Sequence, residues 1–202
     1  MMRFRGKVAV ALVVVLSVVL LSGCYFSVFQ TARTVGAGNV AFTLGAAVMD
    51  LAVDGNPSWL LAPQGRLAVG LAPNVDFGIR SGMMLNLETG DVGFLGAVAD
   101  FKFALFQEPD SFALALGFGG GYSTGTVGWG LEASAYFEST VRYLPIYVVY
   151  RPLIPLAGGE FGVIHQLAGG LHLALSPNAR LLIELDSWGG FISGGIALEI
   201  LF

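Results

Sequence analysis

Between Val40 and Phe202 apolar residues recur at every second position, and the ionisable ones fall on the opposite phase. Val40, Phe42, Leu44, Ala46 and Val48 alternate with small residues. Val75, Phe77 and Ile79 alternate with Asp76 and Arg80. Leu95, Ala97, Ala99, Phe101, Phe103 and Leu105 alternate with a set holding Asp100 and Lys102, and Ile192, Gly194, Ile196, Leu198, Ile200 and Phe202 alternate with one holding Glu199. A period of two is that of a β-strand, whose side chains point to opposite faces in turn. Opposite the apolar set lie Arg66, Asp76, Arg80, Asp100, Lys102, Glu132, Glu138, Arg142, Arg151, Arg180, Glu184, Asp186 and Glu199, six positive and seven negative. No Asp, Glu, Lys or Arg falls on the apolar face. A basic side chain facing lipid at the midplane costs about 2–4 kcal/mol, so these groups must face an interior. Open sheet edges cannot sit in hydrocarbon, because their N–H and C=O groups would lack partners. The pattern therefore calls for an all-β, closed, antiparallel up-and-down transmembrane barrel with a charged lumen.

Composition supports a membrane chain. Of 202 residues 55% are hydrophobic and 12% charged, about half the charge of a soluble domain. A net charge of −4 with no basic stripe excludes nucleic acid as a partner. Helical spans fit poorly. Residues 111–131 are uncharged but hold seven glycines, at 117, 119, 120, 121, 125, 128 and 130, each costing a helix about 1 kcal/mol. Residues 161–179 are also uncharged but carry His165 and His172 and end in the turn signal Ser176-Pro177-Asn178.

Ten strands are expected, at about 38–48, 64–72, 75–85, 93–106, 111–123, 128–142, 146–153, 162–175, 179–188 and 191–202. An eight-stranded solution arises if 143–160 is one strand plus coil. Connections alternate in length. Pro73-Asn74, Glu108-Pro109-Asp110, Leu144-Pro145 and Ser176-Pro177-Asn178 are tight, and the longest loop runs from Met49 to Pro63. Short turns at one end and longer loops at the other are the outer-membrane pattern, and an even count puts both termini on the short-turn, periplasmic side. The ending Ile196, Leu198, Ile200, Phe202 resembles the C-terminal signature of barrels inserted by the bacterial assembly machinery. Tyr122, Trp129 and Phe161 toward the loop end, and Phe77, Phe101, Phe103, Phe112, Tyr143 and Phe202 toward the turn end, suit interfacial girdles. Trp59-Leu60-Leu61 is expected on the rim or over the mouth, as packing, lid or partner patch.

The start of the chain reads as an address. Arg3, Arg5 and Lys7 precede the apolar run Val8–Leu21, fourteen residues long. That is short for a transmembrane helix and suits a secretory signal. It leads into Leu21-Ser22-Gly23-Cys24, the chain's one cysteine. This resembles the lipobox of bacterial prolipoproteins. The resemblance implies cleavage of residues 1–23, a covalent lipid on Cys24 and export by the lipoprotein machinery. Tyr25-Phe26 replaces the family's inner-membrane retention aspartate. The expected organisation is a signal peptide at 1–23, a lipid-anchored segment at 24–37 and a barrel at 38–202. Loss of residues 1–23 removes three of ten basic residues, leaving seven against fourteen acidic and a net charge of −7.

Hairpin register suggests ion pairs. Arg180 falls opposite Glu199, Glu138 opposite Arg151, Asp76 opposite Lys102, and Arg80 diagonal to Asp100. Paired charges of this kind fill and stiffen a lumen. The competing reading is a charged constriction in a narrow pore for small polar solutes, for which the inward Ala113, Ala115, Gly117, Gly119, Gly121, Ala168 and Gly170 leave space. His172 faces inward, diagonal to Glu184. His165 faces outward, diagonal to Ser187. Some outer-membrane lipid A deacylases place His and Ser on the lipid face. Here their His-x-Ser is replaced by His165-Gln166-Leu167, and no outward carboxylate orients the imidazole, so that reading is remote. No metal, P-loop or dinucleotide motif appears, and no cofactor is expected beyond the lipid. The leading expectation is an outer-membrane barrel lipoprotein of structural or interaction role with a filled lumen. Its partners would be outer-membrane lipid and the assembly and export machinery.

Overall fold

Alternation of apolar and polar or small residues over ten segments, each bounded by Gly, Pro, Asn or Ser, produces ten strands. They are β1 (Val40–Asp50), β2 (Trp59–Ala72), β3 (Val75–Asn86), β4 (Val92–Gln107), β5 (Phe112–Ser123), β6 (Gly128–Ser139), β7 (Ile146–Pro155), β8 (Ile164–Ser176), β9 (Ala179–Trp188) and β10 (Phe191–Leu201). The computed structural model describes residues 27–50, 58–109, 111–123, 128–141, 145–156, 162–188 and 191–202. The signal segment, Cys24, Arg142, Tyr143 and Phe161 lie outside them.

Each strand pairs antiparallel with its sequence neighbours, and β1 pairs with β10 to close the ring. Ala41 faces Leu201, and Val40 and Phe202 exchange backbone hydrogen bonds of 3.2 and 2.8 Å. The barrel thus has ten strands, not eight. Outward positions are occupied by Leu, Ile, Val and Phe, such as Ile79, Phe101, Leu116, Leu131, Leu167, Leu185 and Ile196, all exposed. The turn-end girdle is built of ring pairs, with Phe77–Phe101 centroids at 5.1 Å and Phe112–Phe137 at 5.8 Å. Tyr122 and Trp129 pair at 5.6 Å near the loop end.

Three local readings of the sequence are corrected. Trp59–Pro63 belongs to β2, with Asp50 opposite Trp59 and Ala46 opposite Pro63, so the connection from β1 is shorter than expected. Apolar residues on both faces there, Leu60 buried and Trp59 exposed, hide the alternation. Leu95 points inward, 5% exposed. A bulge at Gly96, with φ of +139°, pairs Gly82 with Gly96 but Met83 with Phe94, so Leu95 is the extra residue and changes face. The β6–β7 turn is not a two-residue hairpin. β6 stops at Ser139, and Glu138 faces Tyr147 across a connection of residues 140–145.

Candidate functional site: the lumen and its strap

Residues 27–35, ahead of β1, run inside the barrel. Ser27, Val28, Phe29, Gln30, Thr31 and Ala32 are all 3% exposed or less. This strap has no repeating contact pattern of its own, so the wall must satisfy its backbone. Glu184 accepts the Val28 and Phe29 N–H groups (2.6 and 2.9 Å) and the Tyr147 hydroxyl (2.9 Å). Glu138 accepts the Arg33 N–H (3.0 Å), and both oxygens of Asp76 accept that of Val35 (3.1 Å each). Lys102 Nζ donates to the carbonyls of Thr31 (3.1 Å) and Arg33 (2.5 Å). Near the turn end the chain reverses through Gly36 and Gly38, both at positive φ, and Gly38 donates to Gly70 O at 2.8 Å.

Packing fixes the strap as firmly as its hydrogen bonds do. Phe29, 2% exposed, lies against Gly45 of β1 and Gly195 of β10. A Cβ at Gly195 would sit 2.5 Å from Phe29 Cζ, and one at Gly45 2.8 Å from Phe29 Cε2. The inward Ala113, Ala115, Ala168 and Ala197 form one apolar cluster with Val28, Phe29, Ala32, Tyr136 and Tyr147. Gly117 and Gly170 likewise make room for the rings of Tyr136 and Tyr147. Space that the sequence left for a pore is thus occupied by strap and tyrosines. A void of about 10 Å³ beside Phe29 and Arg66 holds one water at most. Gly195→Val forces the Phe29 ring to move and should lower the unfolding free energy by about 1–3 kcal/mol, read from the urea midpoint of the refolded barrel.

The charged positions form four groups. Arg66 pairs with Asp100 at 2.8 Å and Lys102 with Asp76 at 3.4 Å. Arg80 pairs with Glu132, whose Oε2 is also 3.9 Å from Arg151 Nε; Arg151 donates to Gln166 Oε1 at 3.3 Å, and Gln166 donates to Asp186 Oδ2 at 2.7 Å. Near the turn end Arg180 pairs with Glu199 at 2.5 Å, while Glu138 Oε1 lies within 3.3–3.7 Å of Arg33, Arg180 and His172. Among the described residues Glu184 has no ion pair, and the strap's amides and the Tyr147 hydroxyl serve instead. Asp76–Lys102 and Arg180–Glu199 are the cross-strand pairs that register suggests. Glu138 does not meet Arg151, because the longer β6–β7 connection moves Arg151 opposite the Ser134 level. Arg80 takes Glu132 across the lumen, leaving Asp100 to Arg66. His172 bonds the Ser139 carbonyl (2.8 Å) and not Glu184. Arg33, which the sequence left ahead of the first strand, is a lumenal cation.

At the loop end the interior turns apolar. Met49, Leu60, Ala62, Leu95, Val98, Leu153 and Ile164 pack as one buried cluster. It joins β2 to β7, which stand on opposite sides of the ring, so it crosses the lumen. Outside, Tyr150 Oη lies 2.7 Å from His165 Nδ1 with the rings stacked, and Ser187 faces Leu167. His165 is thus engaged by a tyrosine. Among the described residues no cluster of His, Cys, Asp or Glu could hold a metal ion.

No family model matches the chain. No curated protein matches it either. Among solved structures it is similar to a de novo designed transmembrane β-barrel (11% identity, TM-score 0.40, covering 82% of this chain and 97% of that one). It is similar to the N-terminal β-barrel domain of Pseudomonas aeruginosa OprF (10%, 0.38, 83% and 99%) and to the KdgM porin in complex with disordered oligogalacturonate (6%, 0.39, 80% and 98%).

Proposed function

We propose that this chain is a small bacterial outer-membrane barrel with a closed lumen, whose role is structural or interactive rather than conductive. The observation that carries the reading is double closure, by a hydrogen-bonded strap toward the turn end and an apolar cluster across the loop end. An apolar constriction excludes ions by dewetting, and the strap fills what lies behind it. The full chain in a planar lipid bilayer is expected to show no steady conductance. The second reading, a narrow channel for polar solutes, requires steady conductance that falls when Arg151 or Arg180 is neutralised. Removing residues 27–35 should also leave the bilayer silent, because the apolar cluster remains. Adding Leu60→Ser and Leu153→Ser to that deletion should open a conducting path.

Anchoring through Cys24 belongs to the same reading, supported by the lipobox alone. Intact mass of the protein from membranes should show loss of residues 1–23 and added acyl mass, both abolished in Cys24→Ser. The partners of this reading are outer-membrane lipid and the assembly and lipoprotein-export machinery. A lipid-modifying activity is disfavoured by the Tyr150–His165 contact, and deletion of the gene should leave lipid A unchanged.

A further inference from the structure

At the turn end a cleft of about 510 Å³ opens between Thr140, Val141 and Pro145, the β8–β9 turn and the end of β10. Its size is that of a small-ligand site. Among the described residues two arginines, two carboxylates and His172 line it, and they are not equally accessible. The side chains of Arg33 and Arg180 are 21% and 25% exposed, whereas Glu138 is fully covered and Glu199 is 10% exposed. An entering ligand therefore meets guanidinium edges first.

Those edges have donors to spare. Among the described residues Arg180 hydrogen-bonds through Nε, to Glu199, and its Nη1 is 3.6 Å from Glu138, beyond hydrogen-bond length. Arg33 uses Nη2 on Glu108 O (2.5 Å) and Thr140 Oγ1 (2.9 Å), and its Nη1 makes no hydrogen bond among the described residues. Guanidinium groups with free N–H pairs suit planar or tetrahedral oxyanions. The cleft's outer lip includes Leu173, 39% exposed on the barrel's apolar face, so one wall is charged and the next is apolar.

We propose that this cleft binds a phosphate-type oxyanion, the chemistry shared by an anionic phospholipid headgroup and free phosphate, with the apolar lip favouring the lipid. The lipid source rests on reading the turn end as the inner-leaflet face of the membrane; binding of free phosphate does not. Because Arg33 belongs to the strap, an occupied cleft would also hold the strap in place.

The full chain is placed in nanodiscs of phosphatidylcholine with or without phosphatidylglycerol, and retained lipids are counted by native mass spectrometry. Phosphatidylglycerol should be retained preferentially, since choline presents a cation to Arg33 and Arg180. Arg180→Gln should weaken that retention by about tenfold or more. Asn178→Asp, in the exposed β8–β9 turn, puts a negative charge on the cleft wall without touching the buried ion pairs, and should do the same if Arg180→Gln fails to fold. In parallel, inorganic phosphate is tested against chloride for a rise in unfolding temperature of the detergent-solubilised chain. Stabilisation by phosphate that both variants abolish, without lipid preference, would assign the cleft to free phosphate. Neither effect, or effects indifferent to both variants, would overturn the proposal. A conducting full chain would end the closed-lumen reading and leave this result standing.

Discussion

Glu132→Ala should cost about 3–5 kcal/mol, the usual penalty for removing one partner of a buried ion pair. Glu132 is 4% exposed and is the carboxylate shared by Arg80 (5%) and Arg151 (0%). Without it two buried guanidinium groups lose the carboxylate they share. Arg151 keeps Ser134 and Gln166 as neutral partners, at 3.3 Å each, which do not offset its charge. Urea unfolding of the refolded barrel, followed by the heat-modified shift on a gel, measures the change. Glu88→Ala, on the exposed β3–β4 loop, serves as the reference and should stay within about 0.5 kcal/mol. A loss below about 1 kcal/mol in Glu132→Ala would mean that water reaches Arg80 and Arg151, and the lumen is not filled.

Phe29→Ala should cost a similar amount, about 3–5 kcal/mol, because the ring fills a notch that two glycines leave open. The comparison with Phe29→Gly separates packing from backbone. Phe29 has a φ of +39° and is the one non-glycine residue at positive φ among the described residues. Alanine in that region is strained by roughly 1–2 kcal/mol relative to glycine. Phe29→Gly should therefore be no less stable than Phe29→Ala, the reverse of the order at an ordinary position. If both variants match the parent, the ring does not hold the strap, and the strap is not a structural part of the barrel.

The wall was legible in the sequence because lipid and lumen sort side chains at a period of two, which a list of residues displays directly. Asp76–Lys102 followed from a loop over 85–93, and Arg180–Glu199 from a turn at Gly189-Gly190. The β6–β7 pairing did not, since Leu144-Pro145 resembles a hairpin turn while the chain leaves β6 at Ser139. Leu95 lies on the face opposite to the one alternation predicts, because a bulge shifts parity without changing composition. The strap carries no such signature. Ser27–Asn39 has no periodicity, and its backbone is satisfied by side chains distant in sequence, as with Val28 and Glu184. One signal did point to it: inward Gly and Ala on β5, β8 and β10 are too small to fill the interior of a ten-stranded barrel, so something else had to.

Backbone hydrogen exchange of the strap tests the filled lumen most directly. The amides of Val28, Phe29, Arg33 and Val35 donate to Glu184, Glu138 and Asp76 inside the barrel. In the detergent-solubilised full chain they should exchange as slowly as amides of β9 and β10, and far more slowly than those of Glu88 and Thr89 in the exposed loop. Exchange of the four strap amides at the rate of that loop would mean that the segment lies outside, and would contradict a lumen closed by the chain's own N-terminal strap.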